Sequence, residues 1–410
     1  MVRPERRTRG DLVAAAAIAI VVIVAGVLIW WTSDARAASS RPAVQSAPSP
    51  AAARAVPQAV TQLWSAASPA TAGPVVIFGV VVTGDGRAVH GRDPVTGESR
   101  WSYARGIDLC AVSWVYRYAV AVYPDSRGCG QVSAIDAGTG RRGPARSSYA
   151  DRHVDVTSDG TTVLSAGASR LELWRSDLVR VLSYGEIDAR VKPSAQGVGS
   201  GCVLLSAAAG SSAVSVLESC PAEGPESEKE QGKVRLALLR AGKDEDEPEV
   251  RYVPESEIAA ESGARVLAVS GTRTAVYLPS PKPRVEVIDE TGAVVASTLL
   301  PAPVARTGSV SKPGDLVTWW TGETVLVFDA ANLTYRYSIP ATDAPLGPAA
   351  IMADRLLIPV RAGIGVYDPV TGAHQRTIPV ERAPGETAVI PAVSGATVLE
   401  QRGDTLVALG

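Results

Sequence analysis

Apolar and polar residues alternate with a period of two through most of the chain, in short stretches broken by turns. At 88–102 the order AVHGRDPVTGESRWS carries a strand into Asp-Pro-Val-Thr-Gly and out again into Trp-Ser, and at 364–378 IGVYDPVTGAHQRTI does the same. Ile364, Val366 and Tyr367 precede the second turn and Thr377 and Ile378 follow it, so one face of each strand can be buried. A third turn reads Asp-Ala-Gly-Thr-Gly at 136–140. Asp at the head of such a turn accepts from backbone N–H groups two residues on, and the closing Gly takes the positive φ that other residues resist. The turn positions are Asp93 with Gly97, Asp136 with Gly140, Asp289 with Gly292, and Asp368 with Gly372.

These markers recur. Asp93 to Asp136 is 43 residues, Asp136 to Asp177 is 41, Asp289 to Asp329 is 40 and Asp329 to Asp368 is 39. A period of about 40 to 50 residues holding four short strands is the signature of propeller blades. The stretch between Asp177 and Asp289 holds two repeats, with a degenerate marker near Arg240 and a surplus of loop. That surplus falls in two charged segments, 223–233 and 243–249, which read as solvated loops or, alternatively, as a docking surface for a basic partner. The chain ends on a blade that lacks its fourth strand, and Leu63-Trp64-Ser65, which matches Arg100-Trp101-Ser102, looks like the missing piece. Pairing the two ends closes the ring and covers a sheet edge. The expectation is all-β: an eight-bladed propeller over 61–410, or a seven-bladed one if 198–253 is a single irregular blade.

The N-terminus has another pattern. Residues 12–31 carry no charge and close on Trp30 and Trp31, a run long enough to span a hydrocarbon core of about 30 Å. Arg3, Arg6, Arg7 and Arg9 precede it, which places residues 1–11 in the cytoplasm and the remainder outside. A cleaved signal peptide is the alternative, because Ala35-Arg36-Ala37 has a small-x-small pattern, although the run exceeds a signal core of roughly 7 to 15 residues. Residues 32–60 are rich in Ala, Pro and Ser without apolar periodicity, and read as a disordered linker.

Composition narrows the function. The net charge is -2 and aromatic residues make up 5%, with no basic face interleaved with aromatics, which argues against nucleic-acid binding. Cys110 and Cys129 bracket the first two strands of the second blade, and Cys202 and Cys220 those of the fourth. The two ends of a hairpin are neighbours, so both pairs can be bridged within a blade. Disulfides suit an oxidising, extracytoplasmic location. A metal site would call for Cys-x-x-Cys pairs and nearby histidines, which are missing from the sequence.

The repeats ending in Asp-x-x-Thr-Gly and followed by Trp-Ser resemble those of the quinoprotein-like (PQQ-like) eight-bladed propellers, over nearly all of 61–410. The resemblance implies one of two roles: a membrane-associated alcohol or sugar dehydrogenase using pyrroloquinoline quinone with Ca²⁺, or a cofactor-free scaffold of the kind that helps assemble outer-membrane proteins. The chain departs from the dehydrogenase pattern. No two cysteines are adjacent, and no cluster of carboxylates that could hold Ca²⁺ stands out. The excess of Arg over Lys, 34 to 6, resembles a high-GC actinobacterial composition.

Other chemistry finds little support. His90, His153 and His374 fall in three different blades and read as surface or turn residues. No nucleophile elbow, His-Glu-x-x-His, phosphate loop or EF-hand loop is present. Gly197, Gly199 and Gly201 lack the helix a dinucleotide fingerprint requires and read as a loop before Cys202. Trp64 and Trp101 occupy equivalent blade positions, which points to packing between blades. Trp319 and Trp320 point to opposite faces of one strand, one of them toward a neighbour or a binding face. The sequence therefore predicts a single-pass, membrane-anchored, extracytoplasmic scaffold for an envelope protein or polymer, without catalytic, cofactor-binding or metal residues. A PQQ-dependent dehydrogenase and a ligand-sensing subunit acting through another membrane protein are the alternatives.

Overall fold

A computed structural model describes residues 8–187, 197–221, 233–259, 262–304, 308–383, 385–386 and 388–410. Eight antiparallel sheets form the ring, and each of seven takes its four strands consecutively from the chain. These are blade 1 (75–104), blade 2 (111–147), blade 3 (155–185), blade 4 (203–259), blade 5 (265–299), blade 6 (309–339) and blade 7 (350–379). Blade 8 joins the two ends: Gln62–Ala67 lies as the outer strand beside Thr405–Leu409, with Ser65 opposite Val407. The fold is an eight-bladed propeller, and the region around 198–253 contributes a full blade of its own.

Burial follows the strand order. First strands of successive blades lie side by side at the centre, as in blades 2 and 3 or 4 and 5. Second strands such as Leu316–Trp320 are buried throughout, whereas fourth strands such as Val294–Leu299 alternate between exposed and half-buried positions. The core is thus a chain of clusters, each filled from two neighbouring blades. Trp319 packs with Tyr277 of blade 5, and Trp320 packs with Leu356 and Ile358 of blade 7. Both are buried, so the Trp pair clamps blade 6 on both sides and neither ring lines a binding face.

The ring has two faces. One, here the turn face, carries the connections between first and second and between third and fourth strands, including the Asp turns. The other, the link face, carries the second-to-third hairpins and the links between blades.

Helix α1 (Arg9–Thr32) opens with a capping box between Thr8 and Asp11 and has no buried residue. Its length and apolarity meet the requirement for a bilayer span, a requirement that a signal sequence also meets. The segment read as a disordered linker is laid on the ring instead. Ser39–Arg41 pairs with the outer strand of blade 1 as a fifth strand, Ser39 opposite Ala104. The Ala43 and Ala47 amides then donate to the carbonyls of Thr139 and Gly138 on the turn face, both at 2.9 Å. Pro50 rests on Gly79, where a Cβ would come within 2.1 Å of the Pro50 ring. Val56 is buried beside Met352, and Arg376 Nη2 donates to the carbonyls of Val56 and Pro57 at 3.0 and 2.9 Å. Backbone hydrogen bonds hold this strap, and its prolines give up little conformational freedom on docking, so apolar periodicity is not needed.

A candidate binding cleft

The predicted turn residues are structural, and the geometry shows how. Asp93 Oδ1 accepts from the amides of Val95 and Thr96 at 2.9 and 3.0 Å, and its Oδ2 binds Arg100. Asp136 accepts from the Thr139 amide and hydroxyl at 2.9 and 2.8 Å, and from Arg117 Nε at 2.6 Å. Asp289 and Asp368 repeat the arrangement with Thr291 and Thr371. Burial would raise the Asp93 carboxyl, but the amides of Thr96 and Val95 and the Arg100 guanidinium hold it below its ordinary value. Gly97, Gly140, Gly292 and Gly372 all have φ between 71 and 85°. They also make room for the preceding blade, since a Cβ on Gly97, Gly140 or Gly372 would strike Trp64, Trp101 or Tyr337. Each of those aromatics donates to the same turn: Trp64 Nε1 to Pro94 O at 3.0 Å, Trp101 Nε1 to Ala137 O at 2.7 Å, Tyr337 Oη to Pro369 O at 2.6 Å. Turn and Trp-Ser strand are therefore two halves of one lock between neighbouring blades.

Both cysteine pairs are bonded, Cys110 with Cys129 and Cys202 with Cys220, and both lie on the link face. Each ties the link that enters a blade to its second-to-third hairpin, which fixes the loops of blades 2 and 4. Between them opens a cleft of about 700 Å³ toward the centre of the ring, with Cys110 and Cys129 in its wall. Leu109, Leu164, Leu204 and Leu205 give it apolar surface, and Ala166, Ala168 and Ala207 keep the wall shallow, while Gly167 makes room for the Asp151 side chain. The side chains of Arg152, His153 and Asp155 line it, and among the described residues none of the three has an ion-pair or hydrogen-bond partner. Asp108, at the rim, is paired with Arg87 at 3.1 Å. Such a site can bind through apolar contact and paired charges. His90 and His374, on blades 1 and 7, do not line the cleft and are hydrogen-bonded to Ser99 and Thr377 at 3.2 and 3.0 Å. Burial, then Arg92, lowers the His90 pKa.

Three buried carboxylates were not singled out by sequence reasoning. Glu172 binds Arg170 at 2.7 Å, Arg146 at 3.1 Å and Arg180 at 3.2 Å, and accepts from Trp174 Nε1 and Ser148 Oγ at 2.8 Å. Its burial would raise the carboxyl, yet Arg170 and Arg146 hold it below its ordinary value. Glu400 is held by Arg382 at 2.6 and 3.0 Å and by Arg402 Nε at 2.8 Å. Glu218 accepts from Arg235 Nε at 2.7 Å and Tyr184 Oη at 2.8 Å. Burial, then the Tyr252 hydroxyl, pushes the Tyr184 phenol upward. The alternation Arg170-Leu-Glu172-Leu-Trp174 is the signal that could have found the first: period two puts the guanidinium, carboxylate and indole on one face.

The charged segments have separate outcomes. Residues 222–232 lie outside the described residues, so most of 223–233 does too. Of 243–249, Glu245 and Asp246 form the tip of the blade 4 hairpin and pair with Arg180 of blade 3, and Asp246 accepts from Ser183 Oγ at 2.6 Å. That tip clasps two blades together. Gly199 and Gly201 turn the chain before Cys202, with Glu186 Oε1 accepting from Gly201 N at 2.8 Å.

A quinone cofactor with Ca²⁺ would need six to eight oxygen ligands around the cation. Among the described residues the grouping of candidate ligand atoms within 4.8 Å of one another is Cys202, Glu218 and Cys220, in which the two sulfurs are already bonded to each other. The cleft offers Asp108, salt-bridged, and Asp155. These residues do not fit a Ca²⁺ site.

No protein-family model and no curated protein matches the chain. Solved propellers share its fold. A computationally designed protein, Ika8, aligns at 13% identity over 86% of this chain and 99% of its own, with a TM-score of 0.53. The C-terminal WD40 domain of Sif2 aligns at 9% identity over 87% and 99%, with a TM-score of 0.52. BamB from Moraxella catarrhalis aligns at 14% identity over 85% and 99%, with a TM-score of 0.47.

Proposed function

We propose that this propeller is a non-catalytic binding platform, held outside a membrane by α1, which takes a protein or envelope-polymer partner in the cleft between blades 2 and 4. The observation that supports this reading is the cleft itself: apolar walls, the side chains of Arg152, His153 and Asp155 without a partner among the described residues, and loops fixed by disulfides on either side. Rigid loops reduce the ordering cost of association, which favours recognition by a preformed surface. Function is thereby divided between the faces. The turn face locks blades together, and the link face is left to bind.

The test is photo-crosslinking in intact cells from Leu205, inside the cleft, against Val370, exposed on the turn face. Specific adducts from Leu205 with none from Val370 are expected. Adducts from Val370 alone would move the binding site to the other face and sink the proposal.

A further inference from the structure

We infer that the cleft opens beside the bilayer and takes a membrane-borne polypeptide, the juxtamembrane segment of an integral membrane protein. The inference rests on the platform reading above and on α1 being retained as an anchor. The path of the chain carries it. With 39–60 laid on the ring, only residues 33–38 separate α1 from the propeller, which even fully extended span about 20 Å. Part of that link is a single helical turn, Asp34–Ala37, and the Arg36 guanidinium folds back over the rings of Trp31 and Trp30, 3.9 and 5.5 Å from their centroids. The end of the link meets the ring on the link face: a Cβ on Gly106 would lie 2.8 Å from the Ala37 methyl. Asp108 and Leu109, two and three residues past Gly106, line the cleft. The turn face lies a strand length further away, roughly 17 to 20 Å.

The chemistry of the cleft selects among what a membrane surface offers. A phosphate headgroup calls for cations without competing carboxylates. Here Arg152 shares the wall with Asp155, so both signs are present within four residues. The small side chains of Ala166, Ala168 and Ala207 let a backbone approach closely. Both features suit a polypeptide carrying polar side chains of either sign.

Two readouts on the full-length protein in nanodiscs and cells test this. A fluorophore is attached to Asp85→Cys, exposed on the link face, or to Val370→Cys on the turn face, with a quencher borne on lipid headgroups; the four native cysteines are bonded and do not label. Quenching should be several-fold stronger at position 85, and a 20-residue Gly/Ser insertion between Ser33 and Asp34 should abolish the difference. Equal or reversed quenching overturns the inference even where cleft adducts leave the platform reading intact. A crosslinker at Leu109 should map to the extracytoplasmic juxtamembrane segment of an integral membrane protein. Adducts to lipid, or to soluble protein alone, overturn it. So does a mature protein that begins after Ala37.

Discussion

Trp101 donates its indole N–H to the carbonyl of Ala137, 36 residues on and one blade along, at 2.7 Å, and its ring lies against Gly140. Trp64 holds the equivalent relationship to Pro94 and Gly97 across the closure of the ring. The repeat is thus cooperative: the turns at Gly97, Gly140 and Gly372 each complete a lock begun by the blade before. Trp101→Ala removes a buried ring and its hydrogen bond, and should cost about 3 to 5 kcal/mol. Gly140→Ala attacks the same lock from the other side, since its φ is 71° and the new methyl would lie 2.4 Å from the Trp101 Cβ. Urea midpoints of the single and double variants should show strong coupling, with the double variant losing less than the sum. Additive losses would mean that the two residues act independently.

The disulfides close loops separated by 19 and 18 residues, for which chain entropy alone predicts about 3 kcal/mol each. Cys110→Ala/Cys129→Ala and Cys202→Ala/Cys220→Ala lie in blades that do not touch, so their destabilisations should add to within about 0.5 kcal/mol. Calorimetry of the two double variants and the quadruple variant checks this. The first pair should also loosen the cleft, read as faster protease cleavage near 124–129, whereas the second should leave that segment protected.

How much of this was legible in the sequence follows from what each feature is made of. The blade count could be read because Asp93, Asp136 and Asp368 sit in local turns whose chemistry is complete within a few residues, and because Trp64 repeats Trp101. The cleft could not, since Leu109 comes from the link into blade 2, Leu164 from blade 3 and Leu205 from blade 4, and they meet only when those blades pack together. The strap was misread for a related reason. Residues such as Ala43 and Ala47 bind through backbone amides, which every sequence possesses, so composition alone suggested a free linker. Glu172 and Glu400 were overlooked because an acidic residue in a strand is ordinarily exposed, and one arginine of each comes from elsewhere, Arg146 from blade 2 and Arg382 from the link into blade 8.

Glu172 gives a pH prediction. Its carboxyl is held below its ordinary value in the folded protein, so the unfolded chain takes up a proton first as pH falls. The stability it contributes is complete above the ordinary glutamate range and is lost as pH drops through that range toward the lowered folded value. Glu172→Gln should therefore lower stability at neutral pH and flatten the decline as pH falls through the ordinary glutamate range and below it. Glu172→Ala leaves Arg170 and Arg146 without their partner, and should cost about 3 to 5 kcal/mol at neutral pH. Equal pH slopes in Gln variant and wild type would remove Glu172 from the acid transition.

Pyrroloquinoline quinone offers a direct check on the cofactor chemistry that the repeats imply. Titrated with Ca²⁺ into the full-length protein, it should produce no saturable, Ca²⁺-dependent quenching of tryptophan fluorescence at micromolar concentration. Trp114 is half-buried on the first strand of blade 2 and would report a ligand at the centre of the ring. Saturable quenching would demand a Ca²⁺ site that Asp108 and Asp155 do not supply.

The strap can be tested without disturbing the ring. Ser46 lies over Gly138 so closely that a Cβ there would come within 3.2 Å of the Ser46 hydroxyl. Replacing both, Ser46→Cys with Gly138→Cys, should place two thiols within bonding reach, since a disulfide needs its Cβ atoms about 3.5 to 4.5 Å apart. The native cysteines are all bonded, so alkylation counts only the new thiols. Mild oxidation of the full-length protein should leave none to alkylate in the double variant and one in each single variant. Positive φ is not required at Gly138, so the substitution itself should be tolerated. Two persistent thiols would mean that residues 39–60 leave the ring in solution. The link between α1 and the propeller would then regain the reach of a free tether, and the fixed placement of the cleft beside the bilayer would fail with it.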